Sequence, residues 1–257
     1  MEIITIANQK GGVAKTTTAV NLATALALIG NKKVLLIDLD AQGSATTSLG
    51  LDKNELDYTV ADVLLDGVAL SDVIIKSESK IDVVGANRDL AGIDVSLADV
   101  ADAPLLLKKA MQNSPLDYDY VIIDTAPSLS MLTVNALVAT DGVIIPMQCE
   151  YFALEGVADL LGTIETLTEL NSKLHVRGVV RTLYDGRSTL SQDVSAELAE
   201  HFGEKLYQTF IPRNVRLAEA PSFGQSIFEY EKSSAGARAY HKLALEVLKQ
   251  TEQPYLL

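Results

Sequence analysis

The segment from residue 8 to residue 18 has the residue types of a phosphate-binding site and reads Asn-Gln-Lys-Gly-Gly-Val-Ala-Lys-Thr-Thr-Thr. Gly11 and Gly12 allow main-chain N–H groups to curl around anionic oxygens. The Lys15 ammonium would neutralise the β- and γ-phosphates of a nucleotide, and the Thr16 hydroxyl would bind Mg²⁺. A glycine turn before a helix would explain the glycines but neither the lysine nor the threonine. The residues predicted to contact the nucleotide here are Gly11, Gly12, Val13, Ala14, Lys15, Thr16 and Thr17.

Two further segments place carboxylates directly after apolar, strand-forming runs. Asp38 and Asp40 follow the run at 34–37, and Asp124 follows the run at 120–123. Carboxylates at strand ends suit Mg²⁺ or the positioning of a water molecule. Either segment alone is a weak signal, and each gains weight from the phosphate-binding segment in the same chain. We therefore predict that these carboxylates lie at the phosphate site, with Asp124 holding Mg²⁺ directly or through water.

These side chains need a sheet whose strands end at one edge, and the chain has the pattern for it. Strands are predicted at 3–7, 34–38, 81–84, 120–124, 142–146, 176–183 and 206–211. Helices are predicted at 15–29, 59–65, 87–112, 129–139, 153–170, 189–201 and 236–249. Near-continuous Val/Ile/Leu strands joined by helices indicate a single α/β domain over 1–257, with a mostly parallel, twisted β-sheet and helices on both faces. In such sheets the ligand lies beyond the carboxyl ends of the strands.

Composition limits the classes of protein to which the chain can belong. Its 257 residues, 48% of them apolar, are enough for a sizeable core. Cys149 is the only cysteine, so intrachain disulfides and a cysteine-rich metal cluster are excluded. No apolar run is long enough to cross a bilayer, and no secretory leader precedes the first strand. We therefore expect a cytoplasmic protein.

The charge distribution bears on nucleic-acid binding. The net charge of −13 argues against DNA as a partner. Between residues 173 and 216, however, seven basic residues face five acidic ones. A small basic patch on an acidic body is therefore compatible with phosphate contact, because the local field matters more than the total charge.

The pattern Lys10-Gly-Gly-x-x-Lys15-Thr resembles the deviant Walker A loop of the ParA/MinD superfamily of dimeric ATPases. The resemblance implies a P-loop NTPase fold, ATP and Mg²⁺ as cofactors, and a homodimer in which Lys10 reaches the nucleotide of the partner. Most members have glycine where this chain has Ala14. By the same resemblance, Lys10, Lys15 and Asp40 are the catalytic residues.

The resemblance also assigns roles around the loop. Asp40 would orient the attacking water, and Asp38 would support the Mg²⁺ shell. Glu150, in the segment Gln148-Cys149-Glu150, would contact the ribose of the partner's nucleotide. Cys149 itself is expected to be a buried, small apolar residue.

Two segments in the last third, at 183–187 and 211–224, resemble the Soj-type ParA proteins. In that group the residues matching Arg187 and Arg216 contact DNA non-specifically from the ATP-bound dimer. Thr182 and Pro212 would lie beside the adenine, and the role of Arg213 stays open. The resemblance further implies a ParB-type partner that binds centromere-like sites and stimulates hydrolysis. Because the chain starts directly on its first strand, we expect no N-terminal helix-turn-helix domain.

Four alternatives remain open. A MinD-like, membrane-associated positioning ATPase would need a basic amphipathic C-terminal helix, against which Pro254 and the sparse positive charge argue. An iron–sulfur carrier would need more cysteines than Cys149. A metabolic amidoligase or synthetase with the same loop would leave the segments around Arg187 and Arg216 unexplained. A non-enzymatic DNA-binding scaffold would bind DNA regardless of ATP.

Overall fold

The computed structural model describes residues 1–77 and 80–252, and its centre is one mixed β-sheet. The strands in this part of the chain are β1 (Glu2–Ile6), β2 (Val34–Leu39), β3 (Ile74–Lys76), β4 (Asp82–Val84), β5 (Tyr120–Thr125), β6 (Gly142–Gln148), β7 (Val176–Tyr184) and β8 (Leu206–Pro212). Their order across the sheet is β3-β4-β2-β5-β1-β6-β7-β8. All neighbours pair in parallel except β3 and β4, which are antiparallel.

Helices cover both faces of this sheet. The α-helices are α1 (Lys15–Gly30), α2 (Ser44–Ser48), α3 (Val60–Leu65), α4 (Ile93–Ser96), α5 (Leu106–Asn113), α6 (Met131–Ala139), α7 (Glu155–Leu167), α8 (Thr189–Phe202), α9 (Val215–Glu219), α10 (Ile227–Tyr230) and α11 (Ala235–Glu252). Successive strand residues point to opposite faces. Accordingly, Ile122 packs in the apolar cluster that contains α1 and α11, whereas Val121 and Ile123 pack in the cluster that contains α3, α5 and α6.

The predicted fold class is confirmed, and most predicted strands and helices are found within one or two residues of their observed ends. The single helix predicted over 87–112 is wrong. That stretch contains a 3₁₀ turn at Arg88–Leu90, α4, a second 3₁₀ turn at Ala103–Leu105, and α5. Gly92 lies in the left-handed region at φ 87°, and Pro104 lies in the second 3₁₀ turn, so both interrupt a continuous helix.

Several short elements were not predicted from the sequence. They are β3, α2, α9 and α10, each of six residues or fewer. Periodicity is uninformative over such lengths, because a single turn of helix shows no repeat. The domain extent of 1–257 includes residues outside the described part and stays a prediction.

The outer strand β8 has one edge without a pairing strand among the described residues, and side chains cover part of it. The Glu246 carboxylate on α11 accepts hydrogen bonds from the N–H groups of Gln208 and Thr209, both at 2.8 Å. Arg181 donates to the carbonyls of Tyr207 and Gln208 at 2.8 and 3.0 Å, where the register of β7 and β8 shifts. These contacts fix an irregular stretch of β8 and occupy two of its N–H groups.

No helix in the ranges 1–77 and 80–252 is both long enough and apolar enough to cross a membrane. The last described helix, α11, packs against α1 through Tyr240, whose hydroxyl lies 3.0 Å from the Thr18 hydroxyl. Pro254, which entered the argument against a membrane helix, lies outside the described residues.

Candidate nucleotide-binding site

The loop between β1 and α1, residues 7–14 and hereafter the phosphate loop, has the backbone shape of an anion cradle. Gly12 and Ala14 both have positive φ, at 76° and 66°, with Val13 between them. Alternation of left- and right-handed residues turns successive N–H groups toward one side, which forms an anion-binding concavity. No atom lies within 4 Å of where a Cβ on Gly11 or Gly12 would sit, so the surface of the loop is open.

Ala14 adopts this conformation without being glycine. A left-handed conformation costs an L-residue roughly 1–2 kcal/mol, and such strain persists only where surrounding contacts enforce it. Ala14 is also the N-cap of α1, and no side chain caps that helix end. The substitution of alanine for the family's usual glycine therefore leaves the loop shape intact at a cost in strain.

Three side-chain contacts fasten the phosphate loop to the sheet. Asn8 donates to the Pro146 carbonyl at 2.8 Å, and its own oxygen accepts the Lys10 N–H at 2.9 Å. Gln148, the last residue of β6, donates to the Gly12 carbonyl at 2.9 Å. Thr182, near the end of β7, donates to the Val13 carbonyl at 3.0 Å. The loop is thus tied to the two strands that follow β1 across the sheet.

Lys15 begins α1 and is almost fully buried, with 6% of its surface exposed. Its ammonium donates to the Lys10 carbonyl at 3.0 Å, which folds the side chain back over the loop. Burial lowers the pKa of Lys15, and the charges of Asp124 and Asp40 oppose this shift. A buried ammonium at the mouth of an open N–H cradle is well placed to attract phosphate oxygens.

Asp38 and Asp124 lie side by side, as paired residues of β2 and β5, and both are fully buried. Neither carboxylate oxygen of Asp124 makes a hydrogen bond of ordinary geometry in the described part of the chain, although the nearby Thr16 hydroxyl opposes the rise in its pKa. Burial, and then the neighbouring Asp38 charge, raise the pKa of Asp124 well above its usual range. An orphaned buried carboxylate is costly unless a cation or proton meets it.

Asp38 is bound differently, because its carboxylate already has protein partners. One oxygen accepts both the N–H and the hydroxyl of Thr46, at 2.9 and 2.8 Å, and the other accepts the Asp40 N–H at 3.1 Å. Burial still raises the pKa of Asp38. Asp38 therefore orients the turn that carries Asp40 and α2. Its predicted support of the Mg²⁺ shell stays a prediction.

Asp40 is half-buried at the start of that turn. One of its carboxylate oxygens accepts the Gln42 N–H at 2.9 Å, and its carbonyl accepts the Gly43 N–H at 2.8 Å. Gly43 has φ 59°, and a Cβ there would lie 2.5 Å from the Ala86 carbonyl, so glycine is required. The turn holds Asp40 near Lys15, consistent with the predicted role toward the attacking water.

Lys10 lies on the exposed side of the phosphate loop. Its ammonium forms an ion pair with Glu150 of the same chain at 2.9 Å, and 36% and 50% of the two side chains are exposed. Directly after Glu150, Tyr151 and Phe152 are 74% and 63% exposed and contact each other edge to face. This group, Lys10 and 150–152, forms an open surface beside the loop.

Comparisons with known proteins agree with this geometry. A family model described as an AAA domain matches residues 1–176. The Thermus thermophilus chromosome-partitioning ATPase Soj is 49% identical over 251 residues, covering 97% of this chain and 96% of that protein. The Caulobacter vibrioides chromosome partitioning protein ParA is 46% identical over 256 residues, covering 97% and 95%. The chain belongs to the ParA/Soj family of partitioning ATPases.

A solved structure similar to this ParA/Soj chain bears on the ligands. It is a cobyrinic acid a,c-diamide synthase from Mycobacterium smegmatis with a bound ATP analogue and magnesium. Its sequence is 37% identical, its TM-score is 0.87, and the match covers 99% of this chain and 97% of that one. The fold is therefore shared between proteins with partitioning names and one with a metabolic name.

The donors of the ParA/Soj chain fit Mg²⁺ with a nucleoside triphosphate. No group of three His, Cys, Asp or Glu residues in the described ranges forms a metal site of its own. Mg²⁺ bound with phosphates needs only one or two protein carboxylates, and the remaining ligands are phosphate oxygens and waters. The orphaned Asp124 supplies such a carboxylate, and Thr16 lies beside it at the start of α1. Asp124 and Thr16 would hold Mg²⁺ there, and the ion would supply positive charge that neutralises the phosphates.

Of the remaining residues predicted for the ParA/Soj site, two lie near the ends of β7 and β8 and two are exposed arginines. Pro212 ends β8, in register with Tyr184 at the end of β7. Thr182 is fully buried and its hydroxyl is used by Val13, so its predicted contact with adenine stays a prediction. Arg187 is exposed and bound by both oxygens of Asp185, while Arg216 pairs with Glu219 at 2.8 Å.

Sequence reasoning missed three residues that shape this site: Asn8, Thr46 and Gln148. Gln148 ends β6 and stands two residues before Glu150, which was predicted. That spacing was the available signal. Asn8 lies in the segment 8–18 that the sequence singled out, but its contact with Pro146 was not predicted. Nothing local in the sequence marked Thr46.

Proposed function

We propose that this ParA/Soj ATPase is an ATP-dependent DNA-segregation switch. Mg·ATP closes two copies face to face, and the closed dimer binds DNA non-specifically. Hydrolysis opens the dimer and releases the DNA. A ParB-type, centromere-binding partner stimulates an otherwise slow hydrolysis. The names and high identity of the relatives support the partitioning role.

The position of Lys10 is the observation that best supports the proposed dimer. Lys10 is part of the phosphate loop, yet its ammonium is paired with Glu150 at an open surface. An exposed ion pair contributes only about 0–1 kcal/mol, so a triphosphate presented by a partner can displace Glu150. Glu150 is then released toward the partner's ribose, as the family resemblance implies. Both residues thereby exchange a partner in the same chain for one across the interface.

The DNA contacts are proposed for Arg187 and Arg216. These exposed side chains follow the ends of β7 and β8, the edge of the sheet that carries the phosphate loop. Closure of the dimer would double the number of such cations on one surface, which raises affinity through multivalency. Release of counterions would make this affinity steeply dependent on salt. The acidic chain would thus bind DNA only when paired.

Hydrolysis is proposed to use the carboxylates of Asp40 and Asp124 together with Lys15. Asp40 would orient the attacking water, while Lys15 and Asp124 would hold the phosphates and Mg²⁺. Loss of the γ-phosphate removes the contacts of Lys10 across the interface, so the dimer opens. In the cell, we expect a cytoplasmic protein that is nucleoid-associated while it holds ATP.

The test is DNA retention measured without nucleotide, with ADP and with a slowly hydrolysed ATP analogue, across a salt series. We expect retention only with the ATP analogue, decreasing with salt, together with a dimer by sedimentation. Lys10→Ala is the matched variant, because it keeps the loop carbonyl that binds Lys15. It should keep monomer nucleotide binding and lose both the dimer and DNA retention. DNA binding that ignores nucleotide would contradict the switch and favour a scaffold.

A metabolic synthase is the second candidate, because the similar Mycobacterium smegmatis structure carries that name. The same experiment separates the two, since a synthase of this fold would show no nucleotide-dependent DNA retention. A vesicle-sedimentation arm, with anionic lipid and ATP, addresses the MinD-like alternative. Co-sedimentation with vesicles in place of DNA would favour a membrane switch.

A further inference from the structure

Two consecutive carbonyls of the phosphate loop accept hydrogen bonds from side chains far away in the sequence. The Gly12 carbonyl accepts from Gln148 at 2.9 Å, and the Val13 carbonyl accepts from Thr182 at 3.0 Å. The donors are 136 and 169 positions away, at the ends of the adjacent strands β6 and β7. These two contacts therefore fasten neighbouring peptide units of one loop to the sheet.

Because the peptide unit is rigid, fixing these carbonyls also fixes the directions of the N–H groups that form the anion-binding concavity. In a planar trans peptide, the carbonyl of one residue and the N–H of the next point in opposite directions. Holding the Gly12 carbonyl toward Gln148 therefore turns the Val13 N–H the other way. Holding the Val13 carbonyl toward Thr182 does the same for the Ala14 N–H. Both N–H groups are left for the anion.

The backbone on both sides of the Thr182 contact is strained. Ala14, directly after Val13, has φ 66°, and Leu183, directly after Thr182, has φ 51°. Neither is a glycine, so both positions would relax if nothing held them. Because the hydrogen bond joins the two strained stretches, its loss would let the peptide between Val13 and Ala14 turn over.

We propose that Gln148 and Thr182 are positioning residues that set the phosphate affinity of this site by holding the loop carbonyls. The proposal rests on the proposed binding of ATP by this loop. It gives Thr182 a role through the phosphates, whereas the family resemblance places this residue beside the adenine. Gln148 gains a role that no pattern in the sequence assigned to it.

The test compares Thr182→Val and Gln148→Leu, which remove a donor at similar size, with wild type and with Thr182→Ser, which keeps the hydroxyl. Affinities for Mg·ATP and for Mg·tripolyphosphate are measured by calorimetry. Tripolyphosphate has no adenine and therefore reports on the cradle alone. We expect each donorless variant to bind both ligands about tenfold more weakly. Thr182→Ser should bind both within a factor of about two of wild type.

A control separates positioning from general stability. Thr140 is a buried threonine at the opposite edge of the sheet, and its hydroxyl donates to the Ile3 and Gly142 carbonyls at 2.8 and 2.9 Å. Thr140→Val should lower the thermal midpoint of the nucleotide-free protein at least as much as Thr182→Val, with no change in either affinity. The double variant of Gln148 and Thr182 should lose less than the product of the single losses, because both act on one loop.

The outcomes distinguish this inference from the proposed function. If Thr182→Val weakens ATP but leaves tripolyphosphate binding unchanged, Thr182 is an adenine contact and the inference is overturned. An equal loss in Thr140→Val also overturns it, since the effect would then be general. If the wild-type chain binds neither ligand, the proposed ATPase function fails as well.

Discussion

The phosphate loop and the two arginine segments are built in opposite ways. The loop is held to distant strands by the side chains of Asn8, Gln148 and Thr182, each of which bridges more than a hundred positions. Arg187 and Arg216 are instead paired with acidic residues two and three positions away, in solvent. One region depends on the whole sheet for its shape, and the other on its own few residues.

This contrast indicates that the phosphate loop is built for specific binding and the arginine segments for reversible binding. A loop fastened to the sheet by several hydrogen bonds is pre-organised, so it binds with little rearrangement and is sensitive to single changes. Exposed local ion pairs are weak and exchange readily, so a DNA phosphate can replace Asp185 or Glu219. We therefore expect changes at the loop to have larger effects than changes at the arginines.

The largest effect is expected for Lys15→Ala. Removal of a buried ammonium from its phosphates costs about 3–5 kcal/mol, which weakens nucleotide binding at least roughly 100-fold. Lys10→Ala, in the same loop, should leave the affinity of the monomer nearly unchanged. Calorimetry on both variants checks the prediction. Equal losses in the two variants would remove the distinction between the buried and the exposed lysine.

Asp124→Asn is expected to have the next largest effect, and its effect depends on pH. Burial raises the pKa of Asp124 in the folded protein above its unfolded value. Its contribution to the stability of the nucleotide-free protein is therefore complete below the unfolded pKa and is lost as pH rises through the folded pKa. Asn has no such loss, so the variant should melt higher than wild type at alkaline pH.

The affinity for Mg·ATP should depend on pH in the opposite direction from the stability of the nucleotide-free protein. Mg²⁺ binds the ionised carboxylate, so the affinity of wild type for Mg·ATP should increase as pH rises through the raised pKa. Asp124→Asn should bind Mg·ATP roughly 30-fold more weakly, about 2 kcal/mol, with no such increase. Calorimetry and melting curves across pH test both signs. An Asn variant that keeps wild-type magnesium dependence would exclude Asp124 from the metal site.

Arg187→Glu and Arg216→Glu should have a smaller effect, on DNA alone. Each is expected to weaken DNA retention by the ATP-bound dimer about tenfold at low salt and to reduce the slope against log salt by about one, because one phosphate contact is lost. ATP binding should not change. Lys108→Glu alters net charge equally on α5, where its ammonium binds the Leu170 carbonyl. A similar loss of DNA retention in Lys108→Glu would mean that net charge, and not a specific contact of Arg187 or Arg216, causes the effect.

The smallest expected effect is a gain. Ala14→Gly removes left-handed strain of roughly 1–2 kcal/mol but adds chain entropy, so we expect a net stabilisation of about 0.5–1 kcal/mol. Ala196→Gly, at an exposed position inside α8, should instead destabilise by about 1 kcal/mol. Urea unfolding of both variants gives the comparison. Destabilisation by Ala14→Gly would mean that Ala14 is not strained.

Sequence reasoning was most accurate where the chemistry is local. The phosphate loop and Lys15 lie in one segment, and the carboxylates Asp38 and Asp124 follow strands that the apolar pattern predicts. Because parallel strands end at one edge, their convergence also followed from the sequence. The structure confirms the fold that brings them together.

Other features depended on strand order, which the sequence does not reveal. Gln148 and Thr182 reach the loop only because β6 pairs with β1 in the sheet and β7 pairs with β6. The ion pair of Lys10 with Glu150 of its own chain likewise results from that arrangement. The helix predicted over 87–112 failed for another reason, because the apolar periodicity continues through Gly92 and Pro104 although the backbone turns there.

The contact of Glu246 with the outer strand β8 affects how the protein behaves at high concentration. The Glu246 carboxylate occupies two N–H groups of β8, in the stretch where the pairing of β7 and β8 is irregular. Open sheet margins are templates for polymer growth, and negative side chains placed against them are one way in which natural proteins prevent it. At high protein concentration, this carboxylate would therefore disfavour pairing of a second copy of the chain along β8.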